Sequence, residues 1–163
     1  MLRNRKVIIL SHCILNQNSV VKPLSRSKGA YNDVVKLIVD SDIGILQLPC
    51  PELLFLGSRR PPMTKKQYNT TEYRTLCNSL LQNTMLQIKE YLGNNYNIIG
   101  IIGIEGSPTC GLLNNQGVLM EEFISLLKDE KIELPRFQIP TDYIEEKDNQ
   151  SFLNLLKDFI SNN

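Results

Sequence analysis

Asn97-Ile98-Ile99-Gly100-Ile101-Ile102-Gly103-Ile104 is a run of eight residues in which every position after the first is isoleucine or glycine. β-Branched side chains favour extended backbone. No polar residue alternates with the apolar ones, so neither face is wet, and the run reads as a central strand of a parallel sheet covered on both sides. Gly100 and Gly103 lack side chains in the middle of it, which predicts that something packs close to this backbone.

Working outward, Lys6 to Leu10, Ile43 to Leu48 and Arg136 to Ile139 are shorter runs of the same kind. Between them lie stretches with helical spacing. One covers Tyr31 to Val39, with Val34, Val35, Ile38 and Val39 on its apolar side. The longest starts at Thr70 or Thr71, either able to cap the free amides ahead of Glu72, and runs to Leu92 with Gly93 as its stop. Its apolar stripe is Tyr73, Leu76, Cys77, Leu80, Thr84 and Ile88. A third covers Val118 to Glu130 with Phe123, Ile124, Leu126 and Leu127 inward, and a fourth covers Gln150 to Ile160. Leu53 to Pro62, part apolar, part basic and ending in two prolines, reads as a loop over a site. Asn16 to Lys28 reads as a polar connection.

Strands alternating with helices define an α/β protein. The expectation is a single domain over residues 1–163, a three-layer αβα sandwich on a mainly parallel sheet of strand order 2-1-3-4. That order makes β-strands one and three neighbours at a switch point, where ligands bind beyond the carboxyl ends of the strands.

Composition narrows the class. The 163 residues are 42% hydrophobic and 21% charged, and 18 basic residues against 17 acidic ones give a net charge of +1. No global field draws the chain to nucleic acid or to an anionic membrane. The apolar run behind Arg3, Arg5 and Lys6 is too short for a signal-peptide core or a membrane span, so a cytoplasmic location is expected. Monomer and homodimer both stay open.

Of the four cysteines, Cys13, Cys50 and Cys110 each lie a few residues beyond an expected strand. They sit in Ser11-His12-Cys13, in Leu48-Pro49-Cys50-Pro51-Glu52 and in Ser107-Pro108-Thr109-Cys110-Gly111. The topology brings such strand ends together. Cysteine in a chain of this kind points to reduced thiols or metal ligands rather than disulfides. Zinc usually takes local Cys-x-x-Cys pairs, of which there is none, while dispersed thiolates suit an iron–sulfur cluster about as well. Buried packing thiols are the third reading, and spacing alone does not choose among them. Cys77, on the stripe of the long helix, is read as a packing thiol.

Ser11-His12-Cys13-Ile14-Leu15, Cys50-Pro51-Glu52 and Ser107-Pro108-Thr109-Cys110-Gly111, in this order and at these intervals, resemble the signature of the thiouracil desulfurase-like family. The resemblance extends from Lys6 to about Lys131. It implies a 4Fe-4S cluster held by Cys13, Cys50 and Cys110, with a fourth iron free of protein ligands. It also implies Glu52 as the acid/base group, Ser107 as a second catalytic residue, and non-redox removal of sulfur from a small thiolated molecule. The segments Ile14 to Ser19 and Leu53 to Arg60 depart from the better-known members, and both are expected to line the pocket, so the substrate's identity does not carry over. Arg59 and Arg60, through their planar forks, and Asn16, through its amide, are candidate substrate-binding residues. His12 beside Cys13 is read as structural or as a support to the ligands. The alternative function is a non-catalytic module in which the same cysteines bind zinc or sense redox state.

Overall fold

The computed structural model describes residues 2–163. Its sheet has four parallel strands: β1 Lys6–Leu10, β2 Gly44–Gln47, β3 Asn97–Ile104 and β4 Arg136–Ile139, in the order β2-β1-β3-β4. The helices are α1 His12–Leu15, α2 Asn32–Asp40, α3 Pro51–Leu56, α4 Lys65–Tyr68, α5 Thr71–Gly93, α6 Val118–Asp129 and α7 Gln150–Asn162. Right-handed crossovers on a sheet whose order reverses at β1 put α2 on one face and α5 and α6 on the other. The packing agrees, since α5 lies along α6 and α2 along α7. Among the described residues no helix is long and apolar enough to cross a membrane.

β3 is buried on both sides of the sheet, with Ile99, Ile101 and Ile102 wholly inaccessible. Each such side chain contributes about 1.5–3 kcal/mol relative to exposure. The pairing of β1 with β3 shifts register between Val7 and Ile8, because Val7 faces Ile98 while Ile8 faces Gly100. Both glycines have close neighbours. A Cβ on Gly100 would lie 2.6 Å from the Pro135 carbonyl and from the Phe159 ring, and one on Gly103 would lie 2.6 Å from the Cys110 carbonyl.

Three local readings need correction. The segment read as a loop from Leu53 begins inside α3, which starts at Pro51 with Gly57 as its cap. Proline at the first helical position loses no intrahelical bond and Glu52 favours the positive end of the helix; Pro61 and Pro62 exclude helix only after Gly57. The stretch Asn16 to Lys28 contains 3₁₀ turns at Gln17–Ser19 and Lys22–Leu24. On α5 the inward side chains are Tyr73, Cys77, Leu81, Thr84, Met85 and Ile88, so the stripe turns towards Leu81 and Met85, with Leu76 and Leu80 half-buried. Thr70 caps this helix by accepting from the Tyr73 amide at 3.2 Å.

Candidate functional site

The carboxyl ends of β1, β2 and β3 open onto a cavity of about 140 Å³, and Cys13, Cys50 and Cys110 all line it together with Glu52 and Ser107. The topology does the gathering. Ser11 leaves β1 with its amide bonded to the Ile102 carbonyl at 3.0 Å, and Leu48 leaves β2 bonded to the Leu10 carbonyl at 2.8 Å. The turns that follow the strands are therefore tied to one another before the cysteines are reached.

Cys110 sits in the most constrained turn. Ser107 Oγ accepts from the amides of Cys110 at 2.9 Å and Thr109 at 3.3 Å. The Cys110 carbonyl accepts from the Ile104 amide at 2.9 Å. Thr109 is buried and its hydroxyl pairs with Tyr73 Oη at 2.9 Å, which fastens the turn to α5. Gly117 makes room for this turn, since a Cβ there would lie 2.2 Å from the Thr109 carbonyl carbon. With both lone pairs of Ser107 Oγ engaged by amides, what the hydroxyl has left to offer the cavity is its proton.

Glu52 is held by α3 and by a buried arginine. Arg60 donates to Glu52 Oε2 from Nε at 3.2 Å and Nη2 at 3.1 Å, and Tyr68 Oη donates to the same oxygen at 3.1 Å. Arg60 also donates to the carbonyls of Gly57 at 3.1 Å and Ser19 at 2.7 Å. The ion pair is nearly dry, the side chains being 2% and 12% exposed. Burial, and then the Glu52 charge, push the Tyr68 hydroxyl up to about 12, so it stays protonated and donates. All three bonds fall on Oε2, and among the described residues none reaches Oε1.

The thiols themselves are disfavoured as anions. Burial, then the Cys50 charge, push Cys13 up to about 12; burial also raises Cys50. Cys110 stands well above the ordinary thiol value for the same reason, reinforced by Cys13 and Cys50. Buried thiols of this kind become thiolates only opposite a positive centre, and at Cys13 and Cys110 the charge of a neighbouring cysteine adds to the cost. Ser11 Oγ is wholly buried without a hydrogen-bond partner at ordinary distance, yet its hydroxyl favours the Cys110 thiolate. A metal–sulfur group would supply both the positive charge and the acceptor that these side chains lack. Among the described residues no three His, Cys, Asp or Glu side chains are grouped to hold one metal ion. A single zinc needs its sulfurs all about 2.3 Å from one point, whereas a cluster gives each thiolate an iron of its own and accepts a wider spread.

The remaining candidates divide. His12 lines the cavity, and its Nδ1 lies 3.2 Å from the Leu48 carbonyl; since a carbonyl only accepts, Nδ1 carries the proton in the neutral ring. Arg60 lines the cavity but its guanidinium is committed to Glu52 and two carbonyls. Arg59 is exposed and outside the wall. Asn16 is outside it too, its Oδ1 accepting from the Asn18 amide at 3.1 Å. Cys77 is buried on α5, away from the cavity. Of the two divergent segments, one reaches the wall through Ser19 and the other through Arg60.

Tyr68, Arg26 and Tyr31 belong to the site without a sequence signal. Tyr68 meets Glu52 across sixteen residues, and Arg26 and Tyr31 come from segments whose composition is that of any polar turn and helix start. Only the assembled fold brings them in.

No family model matches the chain, and no solved structure matches it. It is similar to a protein of Methanocaldococcus jannaschii described only as uncharacterized: the two are 43% identical over 159 residues, which cover 98% of this chain and 99% of that protein.

Proposed function

The chain belongs to the family of the uncharacterized Methanocaldococcus jannaschii protein, and since that membership carries no activity with it, we propose one from the cavity: an iron–sulfur desulfidase that replaces the sulfur of a small thiocarbonyl compound by oxygen. The observation that carries this reading is that three cysteines from three strand ends share one cavity with an anchored carboxylate and a hydroxyl donor. A structural metal site needs neither of the last two. The motif order that resembles the thiouracil desulfurase-like family supports the same reading.

Cys13, Cys50 and Cys110 would hold the cluster. When bound, a four-iron cluster with one iron lacking a protein ligand supplies a Lewis acid for sulfur. The chain does the rest. Glu52 Oε1 takes a proton from the attacking water, while Arg60 and Tyr68 keep Oε2 fixed so that the carboxylate does not turn away. Addition of the water oxygen gives a tetrahedral adduct of the substrate; as its carbon–sulfur bond breaks, the proton held by Glu52 and the one left on the new hydroxyl go to the sulfur, so the products are a carbonyl compound and hydrogen sulfide with no change of oxidation state. Ser107 donates its proton to an acceptor atom of the substrate. Val20, Val21 and Met63 give the cavity apolar wall, which strengthens the polar contacts made against it.

Glu52→Gln tests the assignment. The amide keeps the size of the side chain but takes no proton, and it should lower sulfide release from a thiocarbonyl substrate by about two to four orders of magnitude while leaving the cluster's visible spectrum unchanged. Turnover equal to the parent protein removes Glu52 from the mechanism.

A further inference from the structure

Arg26 lies on the wall of the same cavity, and among the described residues no ion pair reaches it. The other two formally charged side chains there, Glu52 and Arg60, neutralise each other. An arginine on a cavity wall with no acid paired to it is unusual, because its charge loses water without meeting a carboxylate in return.

Its position is fixed at both ends. Nη1 donates to the Pro140 carbonyl at 2.8 Å, and the Glu145 amide donates to the Arg26 carbonyl at 3.0 Å. The Arg26 amide donates to Gln17 Oε1 at 2.9 Å, while Nε2 of the same buried glutamine donates to the Cys13 carbonyl at 2.9 Å. One side chain therefore sets the spacing between the Cys13 turn and the arginine. Of the five N–H donors of a guanidinium, the Pro140 bond takes one. The remainder form a planar fork, held in advance, whose natural partner is a carboxylate bound through two oxygens. A space of about 140 Å³ with a single fork suits one planar monoanion; a phosphate dianion would be only half neutralised.

We propose that Arg26 is the specificity-determining residue of the cavity, and that the substrate is a small thiocarbonyl compound whose carboxylate is taken by this guanidinium while its sulfur faces the cysteines. The word thiocarbonyl rests on the desulfidase reading; recognition of the carboxylate does not, and needs neither cluster nor turnover.

The test is therefore done first on the reduced, metal-free protein, by calorimetric titration with uracil, its 6-carboxylate orotate, and uridine 5′-monophosphate. Orotate is expected to bind about ten- to a hundredfold more tightly than uracil, the range of a hydrogen-bonded charge, and more tightly than the nucleotide. Arg26→Gln should erase the preference and Arg26→Lys should keep part of it, since charge survives without the fork. In the cluster-loaded protein the same factor should separate 2-thioorotate from 2-thiouracil, carried by KM. Equal binding of uracil and orotate, a preference for orotate that survives Arg26→Gln, or tighter binding of the nucleotide overturns the proposal. An orotate preference without sulfide release from either thio compound upholds carboxylate recognition by Arg26 and counts against the desulfidase reading alone.

Discussion

Glu52 owes its usefulness to Arg60 more than to its own backbone. A carboxylate two residues into a short helix rotates freely, but three donors on Oε2 remove that freedom and leave Oε1 without a donor. The arrangement carries a liability, because the pair is almost dry. Removing one partner of a buried ion pair leaves the other charge uncompensated and costs about 3–5 kcal/mol. Arg60→Met should therefore lower the unfolding free energy by that amount in urea titration. Arg60→Lys should fall between, since an ammonium cannot reach Glu52, Gly57 and Ser19 at once as the guanidinium does. Equal stability of parent and Arg60→Met would show that the pair does not form. The same geometry separates Arg60 from Arg59, its exposed neighbour: two adjacent arginines that look equivalent in sequence have different partners because one turns inward behind Gly57.

The elements around the cavity explain how a few small residues hold a cysteine in place. Gly103 on β3 and Gly117 before α6 both lie against the Thr109–Cys110 backbone, with room for hydrogen only. Gly117→Ala should displace that turn, lowering stability by about 1–3 kcal/mol as overpacking does and reducing the iron bound per chain. Gly93→Ala, whose Cβ meets nothing within 4 Å, should be neutral or slightly stabilising, because alanine restricts the unfolded chain. Equal stability of parent and Gly117→Ala, by the same urea titration, would contradict the close approach. The strands were legible in the sequence because β3 is buried on both sides and so is continuous Ile and Gly; the four-residue β4 was legible at Arg136 to Ile139. What was not legible is short and local. α3 hides behind Pro51 because a proline that opens a helix looks the same in sequence as one that ends it, and α4 is a single turn closed by a Thr64–Gln67 capping box between two prolines and a longer helix. The stripe of α5 was read too far round because Leu76 and Leu80 are as apolar as Leu81 and Met85; which pair faces inward is decided by the sheet and α6, not by the helix itself.

At the scale of the whole molecule, the cavity follows from strand order. With β1 flanked by β2 and β3, the residues beyond three strand ends meet at one edge, and the cysteines, distant in sequence, line one cavity of about 140 Å³. The part of the site visible in the sequence is the part carried by motifs: Cys13, Cys50, Glu52, Ser107 and Cys110. Tyr68 and Arg26 were invisible, since each acts through a partner that only tertiary structure supplies. The proposal that Cys13, Cys50 and Cys110 together hold an iron–sulfur cluster is tested by anaerobic reconstitution with iron and sulfide, followed by visible absorption and metal analysis. The parent protein and Cys77→Ser should be brown, with broad visible absorption and about four iron and four sulfide per chain, and Cys13→Ser, Cys50→Ser and Cys110→Ser should each lose the colour. A colourless parent protein that retains one tightly held zinc, or colour that survives all three substitutions, would contradict it.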